Sequence, residues 1–396
     1  MSRTIFDELR NDLKKIEENG LFKKERVIKT PQGAEIGVAT GETILNFCAN
    51  NYLGLANDPA VIDAAHRTLD TYGYGMSSVR FICGTQSIHK ELEKKVSAFL
   101  DTDDTILYAA CFDANGGVFE PFMNRESAII TDALNHASII DGIRLTKAHR
   151  FIFKHADMAD LELKLKESQT CKYRMIVTDG VFSMDGDIAK LDKIYALSKQ
   201  YDALVLVDDS HATGVVGKTG KGTPEMYGLS GKIDLITTTF GKALGGASGG
   251  CVTGKQEMID YLRQRSRPYL FSNTLAPVVA GASVAVIDML QNDPSILKGL
   301  NDNTAYFRSR MENAGFDLKK GIHPIIPIML HDDRLAITMA DKLLDEGIYV
   351  IGFTYPVVPV GQARIRVQIS AAHSTEQLER AVDAFVRVGK ELNVIS

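Results

Sequence analysis

Lys242 lies in the run TTTFGKALGGASGG, directly after the apolar segment DLITTTF (234–240). A lysine at the end of a buried strand is costly to desolvate, so its placement calls for a chemical reason. Desolvation also lowers the pKa of an amine and leaves it nucleophilic. The fitting role is a covalent bond to an aldehyde cofactor. A second cluster ends the run ALVLVDDSHATG (203–214), where branched apolar residues give way to Asp208, Asp209, Ser210 and His211. In an open parallel sheet, ligands bind at the carboxyl ends of strands, so both clusters are expected on one rim.

Pyridoxal phosphate needs an amine for its aldehyde, a carboxylate for its ring nitrogen and donors for its phosphate. Lys242, Asp208 and the Thr239 hydroxyl supply one of each. Opposite charges ~4 Å apart at an effective dielectric of ~20 gain about 4 kcal/mol before desolvation, which favours a protonated ring and an effective electron sink. Asp209 competes for this role, but strand alternation turns it the other way, toward a cap or neighbouring helix. His211 either bonds the ring's phenolic oxygen or simply starts a helix. His136, in TDALNHASIIDG, either stacks its imidazole on the ring or caps a helix. CFDANGG (111–117) opens an expected helix, so the backbone N–H groups of Cys111 and Phe112 are candidate phosphate donors. In ARIRVQIS (363–370), alternation puts Arg364, Arg366, Gln368 and Ser370 on one open face, where either arginine suits an α-carboxylate.

The elements that must position these groups follow from periodicity. TILYAA, SAIITD, RMIVTDG, ALVLVDDS, DLITTTF and GGCVTG are short apolar strands separated by helical or glycine-rich connections. That alternation predicts an α/β domain with a mostly parallel central sheet and helices on both faces. Residues 4–19 carry Ile5, Phe6, Leu9, Leu13 and Ile16 on one helical face, with Gly20 as a stop. This is either a core-packing helix or an arm that clasps a partner subunit. A short strand is expected within 44–58, a loop over 72–86, and then a helix with Ile88, Leu92, Val96 and Phe99 in phase. Beyond residue 275 come helices over 276–316, IIPIML (325–330), a helix over 334–346, IYVIGF (348–353), ARIRVQIS and a last helix capped by Ser374 and Gln377. The expected divisions are 1–50 (arm and short strand), 51–280 (large domain) and 281–396 (smaller α+β domain with an antiparallel or mixed sheet).

The bulk composition excludes several classes. The 396 residues are 45% hydrophobic and 24% charged, enough to bury a real core. A net charge of −5 argues against general nucleic-acid binding. Five cysteines without CxxC spacing read as reduced thiols and a cytoplasmic location. The N-terminus carries acids and does not read as a signal or transit peptide, and no apolar run reaches the length of a membrane span. The GKT at 217–219 lacks the first glycine of a phosphate-binding loop, since residue 212 is Ala. The glycines at 73–75 lack the third glycine of a dinucleotide fingerprint. No metal site is expected, because the histidines are spread out and the cysteines unpaired.

The strings NHASIIDG, TDGVFSMDG, VDDSHATG, TTTFGKALGG, SRPYLFSNTLAP and ARIRVQISAAH together resemble the α-oxoamine synthases, pyridoxal-phosphate enzymes of the aminotransferase-like fold (fold type I). The resemblance runs along essentially the whole chain. FCANNYLGLAN, GMSSVRFICGTQSIHKELE and YPVVPVGQARIR are most similar to members that join glycine to acetyl-CoA, giving 2-amino-3-oxobutanoate and CoA. The reverse reaction is CoA-dependent cleavage in threonine degradation. The resemblance implies Lys242 as covalent anchor and base, Asp208 at the ring nitrogen, His211 at the phenolic oxygen and His136 stacked on the ring and near substrate. It implies Ser183 as a cofactor contact, with Cys111, Phe112 and Thr239 at the phosphate. Ser272 and Asn273 are implied at the phosphate of the partner subunit's cofactor, in a homodimer with shared sites. Arg366, with Asn50 nearby, is implied at the glycine carboxylate; the choice over Arg364 comes from the resemblance alone. Rival expectations are another α-oxoamine synthase with a different acyl-CoA or amino acid, and a pyridoxal-phosphate aldolase. Arg263, Arg265 and Arg267 are a candidate contact for CoA phosphates or a structural cluster.

Overall fold

The computed structural model describes residues 4–18, 22–23, 25–39 and 41–396, so the expected stop at Gly20 lies outside the described residues. The chain opens with helix α1 (Thr4–Glu18), then strands β1 (Glu35–Gly37) and β2 (Thr43–Asn46), and helices α2 (Pro59–Tyr72) and α3 (Ser87–Leu100). There follow β3 (Asp104–Tyr108), α4 (Cys111–Val118), β4 (Ser127–Asp132), α5 (Ala137–Arg144), β5 (His149–Phe153), β6 (Tyr173–Asp179), β7 (Leu204–Asp208), β8 (Leu235–Thr239) and β9 (Gly250–Gly254). These seven strands form one sheet in the order β3-β9-β8-β7-β6-β4-β5. Only β9 runs antiparallel to its neighbours β3 and β8; the other ladders are parallel.

The sheet is covered on both faces, and its side chains alternate between two cores. Ile129, Val177, Leu206 and Leu235 enter one cluster. Ile130, Ile176, Val207 and Ile236 enter the other. Burial on both sides explains why these strands read as near-continuous apolar runs. β5 was not expected. It pairs only with β4, at the sheet edge, and its sequence HRFIF begins with two exposed polar residues, His149 and the charged Arg150, which discourage such an edge from pairing further.

The C-terminal part holds β10 (Ile325–Met329), β11 (Ile348–Tyr349), β12 (Gly352–Phe353) and β13 (Arg364–Gln368). The run 348–353, expected as one strand, is split between two sheets. β11 joins β2 and β1, whereas β12 pairs with β13 and lies with β10 in a second three-stranded sheet. β12 packs closely on the helix Asp333–Asp345, where a Cβ on Gly352 would meet Ala336 O at 2.6 Å. The helices expected over 276–316 are Pro277–Asn292 and Pro294–Asn313, and the first lies so close to α2 that a Cβ on Gly281 would clash with Thr68. The Ser374–Gln377 capping box is present.

Two expectations are corrected here. α1 buries none of its residues, and Ile5, Leu9, Leu13 and Ile16 remain exposed, so it does not pack on the core. The polar face of β13 is also not open. Arg364 and Gln368 are buried: Arg364 lies against the loop carrying Met184 and Asp185, and Gln368 lies against the Phe47–Cys48 segment, its Nε2 donating to Cys48 O at 2.6 Å.

The 180–190 loop is clamped from its other side. His155 Nδ1 faces Asp132 Oδ1 at 3.0 Å and its Nε2 faces Asp187 Oδ2 at 2.8 Å. Burial alone would lower its pKa, but the two carboxylates overcome that and raise it to about 10. A pKa raised on folding stabilises fully below the unfolded value and is lost as pH climbs through the folded one. His155→Gln is therefore expected to cost about 2 kcal/mol at pH 6, with the gap closing toward pH 10. Urea unfolding of both proteins across that range checks this; a constant gap would contradict it.

Candidate active site

Parallel strands bring their carboxyl ends to one rim, and the candidate residues gather there. A cavity of ≈ 230 Å³ is lined by Cys111, Phe112, His136, Ser183, Asp208, His211, Thr239 and Lys242, together with Asn115, Ser138, Asp179 and Ser210. Lys242 sits on the connection between β8 and the antiparallel β9, a turn back rather than a helical crossover. Phe240 N donates to Gly249 O at 3.0 Å and closes this connection. Gly249 has φ +95, and a Cβ there would meet Leu275 at 2.7 Å, so the turn requires glycine.

Burial lowers the Lys242 pKa, and Asp208, Cys111 and Asp179 oppose the shift. Asp208 ends β7 and is buried. Ser210 N donates to its Oδ1 at 2.9 Å and Asn115 Nδ2 to its Oδ2 at 2.5 Å. Asp179 ends the neighbouring β6, and burial and Asp208 push its pKa well up, against a hydrogen bond from His136 N. Asp209 turns away as expected. It accepts from Thr223 N at 2.8 Å and Thr223 Oγ1 at 2.6 Å, and burial raises its pKa to about 7.

His211 is buried, and its pKa lies well below the usual imidazole range, first through burial and then through Lys242. Its Nδ1 shares a hydrogen bond of 2.8 Å with Tyr52 OH, and its backbone O accepts from His323 Nε2 at 2.8 Å. Tyr52 OH also reaches Asn50 Oδ1 at 3.5 Å. His136 caps α5, as one of its two expected readings has it, and its ring lines the cavity wall.

The first amides of α4 have no partner within the helix. A Cβ on Gly250 would come within 2.4 Å of Cys111 N, so glycine on β9 lets this helix end sit against the sheet. Thr239 Oγ1 accepts from Gly241 N at 3.0 Å and lines the same cavity.

The two arginines of β13 divide. Arg364 is held by Asp185, with Nε donating to Gln362 O at 2.9 Å. Arg366 donates to Ser183 O at 2.8 Å and lies over Phe353 at 4.8 Å. Its Nε is buried without a partner, and burial lowers its pKa. Arg366 is thus the arginine with hydrogen-bonding capacity left beside the site. Ser272 and Asn273 are exposed and do not line this cavity. Arg263 is committed to structure: it pairs with Asp104 at 2.5 Å and Glu93 at 3.4 Å, and donates to Thr105 O at 2.8 Å.

The reading from residue types missed Tyr52, Asn115, Ser138 and Asp179. Asp179 was findable, because it ends an apolar strand just as Asp208 does. The others lie in loops or helices whose placement only tertiary structure reveals. Among the described residues no cluster of His, Cys, Asp or Glu could hold a metal, and no helix is long and apolar enough to cross a membrane.

The donor set fits pyridoxal phosphate. A desolvated amine faces a buried carboxylate across one cavity, and free helix amides with a hydroxyl form its anion-binding end. The family description "Aminotransferase class I and II" matches residues 42–385. The 2-amino-3-ketobutyrate coenzyme A ligase of Salmonella typhimurium is 55% identical over 398 residues, spanning 100% of both chains. The mitochondrial 2-amino-3-ketobutyrate coenzyme A ligase of Homo sapiens is 54% identical over 385 residues, 96% of this chain and 91% of that one. Among solved structures, a serine palmitoyltransferase from S. paucimobilis with bound PLP and myriocin superposes with a TM-score of 0.93 at 30% identity, covering 100% of each chain. With this sheet order, this rim and this extent of identity, the chain belongs to the class I and II aminotransferase family, on its α-oxoamine synthase branch.

Proposed function

We propose that this protein is a pyridoxal-phosphate-dependent acyltransferase that condenses glycine with acetyl-CoA to 2-amino-3-oxobutanoate and CoA, and cleaves that product with CoA in reverse. The carrying observation is the lowered-pKa Lys242 amine facing Asp208 in a cavity whose relatives, at 55% identity, are 2-amino-3-ketobutyrate coenzyme A ligases.

Pyridoxal phosphate, when bound, supplies an electron sink for negative charge at the amino-acid Cα. Lys242 would anchor its aldehyde and Asp208 its ring nitrogen. His211 would meet its phenolic oxygen, His136 its ring face, and Ser183 would add a further contact. The amides of Cys111 and Phe112 and the Thr239 hydroxyl would hold its phosphate. Arg366, with Asn50 nearby, would hold the glycine carboxylate and so orient its Cα toward Lys242. Lys242 Nζ then takes the proton from that carbon, a task matched to an amine whose pKa desolvation has lowered.

Ser272 and Asn273 serve the partner subunit's cofactor in a homodimer. Their exposure, away from the cavity around Lys242, and the exposed apolar stripe of α1 support that reading. A cytoplasmic location agrees with five free cysteines. The domain division at 50 and 280 is kept as part of this proposal.

CoA release from glycine and acetyl-CoA is the deciding assay. Preference for a longer acyl-CoA, or for alanine or serine, would indicate another synthase of the branch, and threonine turnover without CoA an aldolase. Lys242→Ala should abolish turnover, and borohydride should trap a pyridoxyl group on the parent protein but not on the variant. Full activity in the variant would refute the mechanism. Arg366→Ala should lower kcat/KM for glycine about a hundredfold, the loss of about 2–3 kcal/mol of charge-assisted hydrogen bonding. An unchanged value would remove Arg366 from the carboxylate.

A further inference from the structure

Asn115 lies on α4, buried beneath the cavity, and its side-chain bonds run in two directions. Nδ2 donates to Asp208 Oδ2 at 2.5 Å and to Ser138 Oγ at 2.9 Å. An amide nitrogen carries two hydrogens, so both are committed. The carbonyl Oδ1 is buried without a partner. Such an orphan costs about 1–3 kcal/mol. Turning the amide over would not relieve it, because Oδ1 would then stand 2.5 Å from a carboxylate oxygen with no hydrogen between them. Asp208 therefore fixes the amide's orientation.

The second hydrogen sets the next link. Ser138 Oγ accepts from Asn115 and lies 2.7 Å from His136 Nδ1. The Ser138 backbone N–H also points at that nitrogen, at 3.2 Å. A backbone N–H can only donate, so Nδ1 presents its lone pair and the hydroxyl hydrogen of Ser138 turns toward it. A proton on Nδ1 would face the Ser138 N–H. The ring proton of neutral His136 consequently resides on Nε2.

We propose that Asn115 is a positioning residue: its single amide orients the Asp208 carboxylate and, by donating to the Ser138 hydroxyl oxygen, turns that hydroxyl's hydrogen onto the bare Nδ1 of His136, where it reinforces the tautomer set by the Ser138 N–H. This rests on the reading that Asp208 and His136 face the bound cofactor. One amide couples the group assigned to the ring nitrogen with the group assigned to the ring face. The charged groups around His136 are Asp179, whose Oδ2 accepts from its backbone N at 2.9 Å, and Asp208 and Lys242 across the cavity.

The test is nitrogen-15 NMR of histidine-labelled full-length protein, with His136 assigned by substitution. The parent should show Nε2 protonated and Nδ1 bare at neutral pH. Asn115→Ala and Ser138→Ala each weaken donation to Nδ1, and the ring's protonation midpoint should rise by about one unit in both. Ser138→Thr, which keeps the hydroxyl, should retain the parent midpoint. In the loaded enzyme, Asn115→Ala should lower kcat about tenfold while KM for glycine stays within about twofold. A parent with Nδ1 protonated, or variants with an unmoved midpoint, would overturn the proposal. If Asn115→Ala does not fold, Asn115→Ser takes its place, since it removes the amide and keeps a small polar side chain, and an unmoved midpoint in that variant would overturn the proposal. A parent that releases no CoA from glycine and acetyl-CoA would refute the functional reading, and the NMR result would still decide the relay.

Discussion

The structure turns on one electrostatic compromise: an amine held out of water beside carboxylates that also lack water. Burial pushes the Lys242 pKa down, while Asp208 and Asp179 pull it back. Either influence alone would be a liability. An isolated buried amine is costly, and two buried carboxylates at adjacent strand ends repel each other. Their juxtaposition is tolerable because the parallel sheet supplies what a loop-built site would lack. β6, β7 and β8 are adjacent, so Asp179, Asp208 and the approach to Lys242 arrive on one rim at strand-to-strand spacing.

That arrangement explains which parts were legible in the sequence. Strands buried on both faces must be apolar at nearly every position, so VLVD and LITTT announce themselves and the polar residues that end them stand out. β5 escaped notice because an edge strand tolerates His149 and Arg150. The split of 348–353 escaped because nothing local signals it; its two halves pair with strands far away in the chain, β2 and β13. Tyr52 and Asn115 were invisible as site residues for a related reason. Each reaches the rim from an element whose own pattern speaks only of packing or turning.

The arginine pair of β13 is the sharpest case. Alternation places Arg364 and Arg366 on the same face, and no argument from period can separate them. What separates them is Asp185, which takes Arg364 and leaves Arg366 with an unpaired Nε. The family resemblance had already favoured Arg366. The structure adds a physical reason for the difference, because Arg364 spends its charge holding the loop that carries Ser183.

The same loop shows why the C-terminal domain is part of the site rather than an appendage. Arg364 and Lys319 both bind Asp185, and Arg366 binds the carbonyl of Ser183. From the other side, His155 holds Asp187. Within residues 183–187, the carbonyls of Ser183 and Met184 and the side chains of Asp185 and Asp187 are all tied to Arg364 and Arg366 of β13, Lys319 or His155. A substrate carboxylate bound at Arg366 would therefore be positioned against the large domain through contacts already in place, and His323 adds a further tie by donating to the carbonyl of His211. Restraint of this kind would hold a carboxylate bound at Arg366 in a fixed position relative to Lys242 and Asp208. The junction between the two parts of the chain would then contribute to substrate placement alongside the lysine.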